Sequence, residues 1–316
     1  MMRQKQILGI EELMMTDKKI NITDWVRARF FDLGKNKQAV YSKYDECKAF
    51  FKIEYEKDIS AESFSRTVRM VYNELYENVN TNEEIEEYNT KVYNVGNILV
   101  VGDLHEPFSN DGYLAFCIKQ YKRFKCQCVV FIGDVVDNHA MSYHEHNPNG
   151  ESATTELEKA IERIKKWYTA FPEAYVCMGN HDRLIERKAV TNGMPKQLFK
   201  TFKEIIKAPD EWKFSLLWEI DDIIFTHGTG SSGQYAFVQR AVKNRKSTVM
   251  GHVHHVLATR YMASQHDRIF AMSTGCGIDV HAYAFEYGID FMNRPVLGCG
   301  VIVDIVDAFT IPMRLE

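Results

Sequence analysis

The apolar positions of this 316-residue chain change their period once, near residue 96. Before that point they recur at helical spacing. Ile22 to Leu33, Tyr44 to Tyr55 and Ala61 to Tyr76 each set apolar residues three and four apart, the last with Phe64, Val68, Val71, Leu75 and Tyr76 on one face. Gly34 ends the first segment, and Ser60 stands as N-cap before the third. After residue 96, short apolar runs alternate with helical stretches. The pattern predicts strands at 97–102, 128–133, 174–178, 222–227 and 247–251, and helices at 110–124, 152–170 and 196–207. From 256 it turns to strand, with runs at 256–262, 268–273 and 298–306. The expectation is an α/β fold, a mixed sheet flanked by helices and completed by a second sheet, behind a small N-terminal helical domain. Residues 1–80 form the helical accessory domain, 81–95 an acidic linker and 96–316 the α/β domain.

Composition narrows the class without naming a partner. Hydrophobic residues make up 45% and charged residues 26%, as in ordinary soluble globular proteins. The net charge of −4 neither predicts nor excludes nucleic acid, since a local patch acts inside a near-neutral chain. Residues 1–95 hold 15 Lys and Arg against 17 Asp and Glu, which is not a basic domain. Within them the helix–turn–helix outline from Tyr44 to Tyr76 carries Ser65, Arg66, Arg69 and Asn73 outward. Nucleic-acid binding there competes with a plain accessory or oligomerisation role. Seven cysteines, an odd number without a dense framework, fit reduced thiols in a cytoplasmic protein, and Cys126-Gln127-Cys128 has no second pair to complete a zinc site. The N-terminal apolar stretch is too short and too acidic for a signal peptide, and no run of about 18 apolar residues implies a membrane partner.

Chemistry concentrates in the second part. All eleven histidines lie after residue 104. Five motifs follow in order: Gly102-Asp103-Leu104-His105, Gly133-Asp134-Val135-Val136-Asp137, Gly179-Asn180-His181-Asp182, Thr226-His227-Gly228 and Gly251-His252-Val253-His254. Four of them come where strand signals end, the place where open α/β sheets collect binding groups. Asp103 and His105 stand at i and i+2, so both turn onto one ion, and Asp134 has two oxygens with which to bridge two ions. Asn180 offers an amide oxygen, and His227, His252 and His254 offer imidazole nitrogens. Seven ligands exceed tetrahedral zinc but suit two ions that share one carboxylate.

In this order the motifs closely resemble those of the calcineurin-like metallophosphoesterases, over residues 96–316. The resemblance implies a four-layer α/β/β/α metallophosphoesterase sandwich with a dinuclear site at one end of the sheets. It assigns Asp103, His105, Asp134 and His254 to the first ion, and Asp134, Asn180, His227 and His252 to the second. Manganese is the usual metal of such relatives; magnesium, iron and zinc are alternatives that the ligand set does not separate. Hydrolysis would proceed by attack of a metal-bridging hydroxide on phosphorus, with His181 as proton donor and Asp137 holding its ring and favouring its charged form. Asp182 is either a support for the site or a simple cap. Arg183 and Arg187 are candidate phosphate anchors, His139, His144 and His146 candidate substrate contacts, and Tyr283 a candidate stacking group. The loop Gly228–Gly233 is a candidate phosphate cradle, and His255, His266 and His281 are structural.

One departure bears on the substrate. Ser/Thr phosphoprotein phosphatases follow Gly-Asp-x-x-Asp with Arg-Gly, where this chain has Asn138-His139, and use Gly-Asn-His-Glu, where it has Asp182. The paired histidines of Gly-His-x-His are similar to those of the DNA-repair nuclease and phosphodiesterase branches. The longer run from Gly-Asp-Leu-His-Glu-Pro-Phe to Ser273-Thr274-Gly275 resembles the phage-type enzymes. The leading expectation is a nuclease or phosphodiesterase on nucleic acid, DNA favoured, with a homo-oligomer left open. One alternative is a phosphomonoesterase acting on nucleotides or phosphoproteins. Another is a nucleic-acid-binding regulator with an inactive site, against which the full ligand set and His181 argue.

Overall fold

The computed structural model describes residues 20–33, 36–72, 89–142, 150–282 and 293–314. Two compact units divide the chain, Met1–Glu86 and Glu87–Glu316. No helix among the described residues is long and apolar enough to cross a membrane.

The first unit contains α1 (Ile22–Leu33), α2 (Lys37–Tyr41), α3 (Tyr44–Tyr55) and α4 (Ala61–Tyr72). Its core gathers Trp25, Phe30, Phe51, Phe64 and Val68, the apolar stripes that the 3.6-residue period sets on one side of each helix. Ser60 caps α4 by accepting the Ser63 N–H at 3.1 Å. The five-residue α2 is too short to announce itself by period; Asn36 caps it through the Ala39 N–H at 3.0 Å. Arg66 and Arg69 are exposed and Ser65 is half-buried, while Arg66 bridges to Glu62 one turn back at 3.1 Å. Asn73 lies outside the described residues.

The second unit runs β1 (Asn89–Val92), β2 (Ile98–Val101), α5 (Tyr113–Arg123), β3 (Cys128–Phe131), α6 (Ala153–Ala170), β4 (Ala174–Cys177), α7 (Leu184–Thr191) and α8 (Phe202–Ile205). It continues with β5 (Trp212–Ser215), β6 (Leu217–Ile220), β7 (Ile223–Thr226), α9 (Ala236–Asn244), β8 (Thr248–Met250), β9 (Leu257–Ala263), β10 (Arg268–Thr274), β11 (Gly298–Val303) and β12 (Asp307–Pro312). One six-stranded sheet has the order β12-β11-β2-β3-β4-β5, the other β1-β6-β7-β8-β10-β9. Alternation along β2 and β3 builds the layers. Leu99, Val101, Val129 and Phe131 face Cys117 of α5 and Ile164 and Trp167 of α6. Ile98, Val100, Cys128 and Val130 face Phe225, Val249, Phe270 and Met272 of the other sheet. The outer face of that second sheet packs Met250 and Ala271 against Phe237 and Ala241 of α9. Helix, sheet, sheet and helix make the four-layer sandwich.

Three expectations need correction. Residues 89–95, read as linker, belong to this unit: β1 pairs in parallel with β6, and the Asn94 and Val95 N–H groups donate to the Asp221 carboxylate at 2.8 and 3.2 Å. The helix predicted over 196–207 is broken, because Thr201 and Glu204 form a capping box that starts α8 afresh. Strands β5 and β6 and helices α7 and α9 occupy stretches for which the pattern predicted no element.

Candidate active site

Strands β2, β3 and β4 are mutually parallel, so their carboxyl ends emerge on one edge, and β7 and β8 are parallel to each other in the second sheet. Asp103 follows β2, Asp134 follows β3, Asn180-His181-Asp182 follows β4, His227 follows β7, and His252 and His254 follow β8. Ligand atoms of Asp103, His105, Asp134 and His254 all lie within 4.8 Å of one another, as do those of Asp134, His227 and His252. Asp134 is common to both groups. Its Oδ2 lies 3.0 Å from His227 Nε2 and 3.6 Å from His105 Nε2. The Asn180 amide oxygen stands 3.1 Å from the same His227 nitrogen. The structure thus brings all seven sequence-predicted ligand residues together.

The tautomers follow from the partners. His227 Nδ1 faces the Ile132 carbonyl at 3.1 Å, which only accepts, so Nδ1 carries a proton and Nε2 is the nitrogen turned into the cluster. Toward that nitrogen converge Asp134 Oδ2, Asn180 Oδ1 and His252 Nδ1, the last at 3.1 Å. His105 Nδ1 sits 2.5 Å from Asp137 Oδ1, which leaves its Nε2 facing His254 Nε2 at 3.1 Å. Among the described residues, Asp103 Oδ1 is buried without a hydrogen-bond partner. Acceptors turned on one another in a buried place are costly unless a cation joins them. The donor set fits two divalent ions.

Electrostatics agree with that geometry. Burial pushes the Asp134 carboxyl up, yet the imidazoles of His227, His181 and His105 outweigh it and hold the group well below the usual carboxylate range. Burial pulls His227 down, but Asp134 and Asp103 outweigh it and lift the ring to about 9. Burial and the charge on His227 push His252 down to about 4. For His181, Asp134 and Asp137 overcome burial and raise the ring above its ordinary value.

Backbone strain collects at the same loops. His105, Asp134, Asn138 and His252 all adopt positive φ, at 53°, 46°, 55° and 68°. Such conformations cost ~1–3 kcal/mol each and persist where surrounding bonds over-determine them. Asp182 supplies several of those bonds: its carboxylate accepts the N–H groups of Val135 at 2.8 Å, Val136 at 3.2 Å and Gly179 at 2.8 Å, stapling the loop after β3 to the loop after β4. Glycine is required where the ligands press closest. A methyl group on Gly179 would stand 2.0 Å from Asp134 Oδ1, and one on Gly251 2.1 Å from Asp103 Oδ1.

Several assignments change. The Asp137 carboxylate is nearer to His105 than to His181, whose Nδ1 it meets only at 3.5 Å. His181 is held instead by the Asp137 carbonyl oxygen, 2.5 Å from Nδ1. His139 stands two residues beyond Asp137. It is buried, and its N–H donates to Glu156 Oε1 at 2.6 Å, with the Ala140 N–H on Oε2 at 2.9 Å. Sequence reasoning missed Glu156, whose only signal was its first-turn position in a helix, ordinarily a dipole effect. Arg183 is half-buried at the start of α7, and Arg187 is exposed. His144, His146 and Tyr283 lie outside the described residues. The Gly228–Gly233 loop is tied down by Arg240, which donates to Ser231 Oγ at 2.9 Å and the Thr229 carbonyl at 2.8 Å.

Comparison with known proteins follows the motifs. The profile described as calcineurin-like phosphoesterase matches residues 96–290. Among solved structures, Vacuolar Protein Sorting 29 from Cryptosporidium parvum is 14% identical, covering 69% of this chain and 96% of its own, with a TM-score of 0.34. Yfce, a phosphoesterase from E. coli, is 13% identical, covering 69% of this chain and 100% of its own, with a TM-score of 0.32. A search of the curated proteins finds no match.

Proposed function

The chain belongs to the calcineurin-like phosphoesterase family, and from that premise we propose that it is a two-metal phosphodiesterase acting on nucleic acid, DNA foremost. The observation that carries the reading is the double cluster sharing Asp134. Asp103, His105, Asp134 and His254 would hold one ion, and Asp134, Asn180, His227 and His252 the other. Two divalent cations, manganese foremost, supply an activated water and offset charge on the phosphoryl oxygens when bound.

The side chains do the rest. Asp137 fixes the His105 tautomer, so that Nε2 is the atom that would bind the ion. The Ile132 carbonyl does the same for His227. His181, its Nδ1 proton held by the Asp137 carbonyl, keeps Nε2 as the atom that gives a proton to the leaving oxygen. Asp134 and Asp137 raise its pKa above the ordinary value, which favours the charged, proton-carrying form.

Diester preference is supported at the position after Asp137. Asn138 is buried there, and its amide donates to the His181 carbonyl at 2.9 Å, so it brings no positive charge toward a phosphate dianion. The test is a panel with manganese: bis-aryl phosphate, aryl phosphate, single- and double-stranded DNA, and RNA. Turnover of the diester and of DNA is expected. Cleavage of the monoester with every diester untouched would sink the reading.

A further inference from the structure

We infer that Glu106 is a positioning residue for the ion assigned to Asp103, His105, Asp134 and His254, acting through helix α6 without touching that ion; the inference rests on the two-ion reading above. Glu106 is the next residue after His105, yet its side chain is buried away from the ligands. Oε1 accepts the Trp167 Nε1–H at 3.0 Å and the Ser109 hydroxyl at 2.8 Å, and Oε2 accepts the Arg163 Nε–H at 2.7 Å. Arg163 in turn donates to the Ser109 carbonyl at 2.7 Å and to Asp111 at 2.9 Å. Both Trp167 and Arg163 belong to α6, so this one carboxylate anchors the loop after β2 to a helix of the outer layer.

The backbone of the same residue joins the two ligand loops. Its N–H donates to the Val135 carbonyl at 2.9 Å, and its carbonyl accepts the Asp137 N–H at 3.0 Å. Leu104 and His105 add N–H bonds to the Asp134 carbonyl at 3.1 and 2.8 Å. The chain of contacts therefore runs from α6 to Glu106, on to Asp137, and through the Asp137 carboxylate to His105 Nδ1. His105, assigned to this ion alone, sits at positive φ and needs such over-determination. Asn180, His227 and His252, the private ligands of the other ion, stand on loops after β4, β7 and β8 that share no hydrogen bond with Glu106 among the described residues. Loss of Glu106 should weaken one ion and spare the other. A merely structural role would not discriminate between them.

The experiment is a manganese titration of the full chain by calorimetry, with the electron paramagnetic resonance of bound Mn2+ recorded at each step. Wild type should bind two ions. Glu106→Gln keeps an acceptor for Trp167 but loses the charge opposite Arg163, and should weaken one step by ~10–100-fold, the range for partners that orient metal ligands. Glu106→Ala should weaken the same step further. Trp167→Phe removes a single N–H from the carboxylate while keeping an aromatic ring in the core, and should act on that step too, which keeps the test decisive if Glu106→Ala folds poorly. Glu162→Gln, on the exposed side of α6 and bonded to Lys165 at 2.8 Å, should bind like wild type. Equal weakening of both steps, or an unchanged isotherm in folded Glu106→Gln and Trp167→Phe, would overturn the inference. Wild type that takes up no manganese would instead overturn the two-ion reading beneath it.

Discussion

Asp134 makes more contacts than a bridging carboxylate needs. Its Oδ2 faces His227, its Oδ1 accepts the His181 N–H at 2.9 Å, and its carbonyl takes the two N–H groups that shape the first ligand loop. Asp134→Asn should therefore lose turnover together with metal content, read by elemental analysis. His181→Ala should lose about 10²–10⁴-fold in turnover with metal content retained; equal metal loss in both would contradict the assigned roles. Protons offer an independent check. His227, at about 9, is protonated at neutral pH, whereas an imidazole ligand binds metal in its neutral form. Manganese binding should release a proton, and its apparent affinity should climb with pH until about 9. Calorimetry in buffers of different ionisation heat would show it, and identical heats would rule it out. At this scale the ligands were legible, because each is a carboxylate, amide or imidazole close to a glycine at a strand end. The partner of Asp137 was not, because two imidazole Nδ1 atoms lie within 3.5 Å of its carboxylate, and only coordinates rank them.

Legibility of elements follows burial. Strands β2 and β3 are buried at every position, so they appear as unbroken apolar runs. Strand β1, Asn-Thr-Lys-Val, is polar at its first three positions and is paired on one side only, so no period-2 signal marks it. The place of α6 was equally hidden, since Glu106 and Trp167 are 61 residues apart and only the fold brings them together. Tyr113 shows what such cross-element bonds contribute. Its hydroxyl accepts the Gly102 N–H at 3.0 Å and donates to the Gly298 carbonyl at 2.6 Å, joining the end of β2 to the start of β11 inside the core. Tyr113→Phe leaves both backbone groups buried and unpaired, and should cost ~1–3 kcal/mol. A denaturant midpoint shift with an unchanged slope is the expected readout; an unmoved midpoint would show that water replaces the hydroxyl.

For the whole molecule, the order of five motifs sufficed to indicate the family and with it the sandwich. The partner of the first unit was not legible, because the exposed Arg66 is engaged by Glu62 and the unit's charge is balanced. The proposed nucleic-acid substrate gives a direct test in the full chain. His181→Ala protein, slowed in turnover but retaining its metal, should retard DNA in a gel, with affinity falling linearly on a log–log plot against salt, the slope counting phosphates engaged. No shift at low salt would count against nucleic acid as the partner. The double cluster also has a mechanical side. Its ligands issue from both sheets, Asp103, His105, Asp134 and Asn180 from one and His227, His252 and His254 from the other. Ions seated there would act as rivets across the seam of the sandwich, so the metal that serves the reaction would also set how firmly the two sheets stay in register.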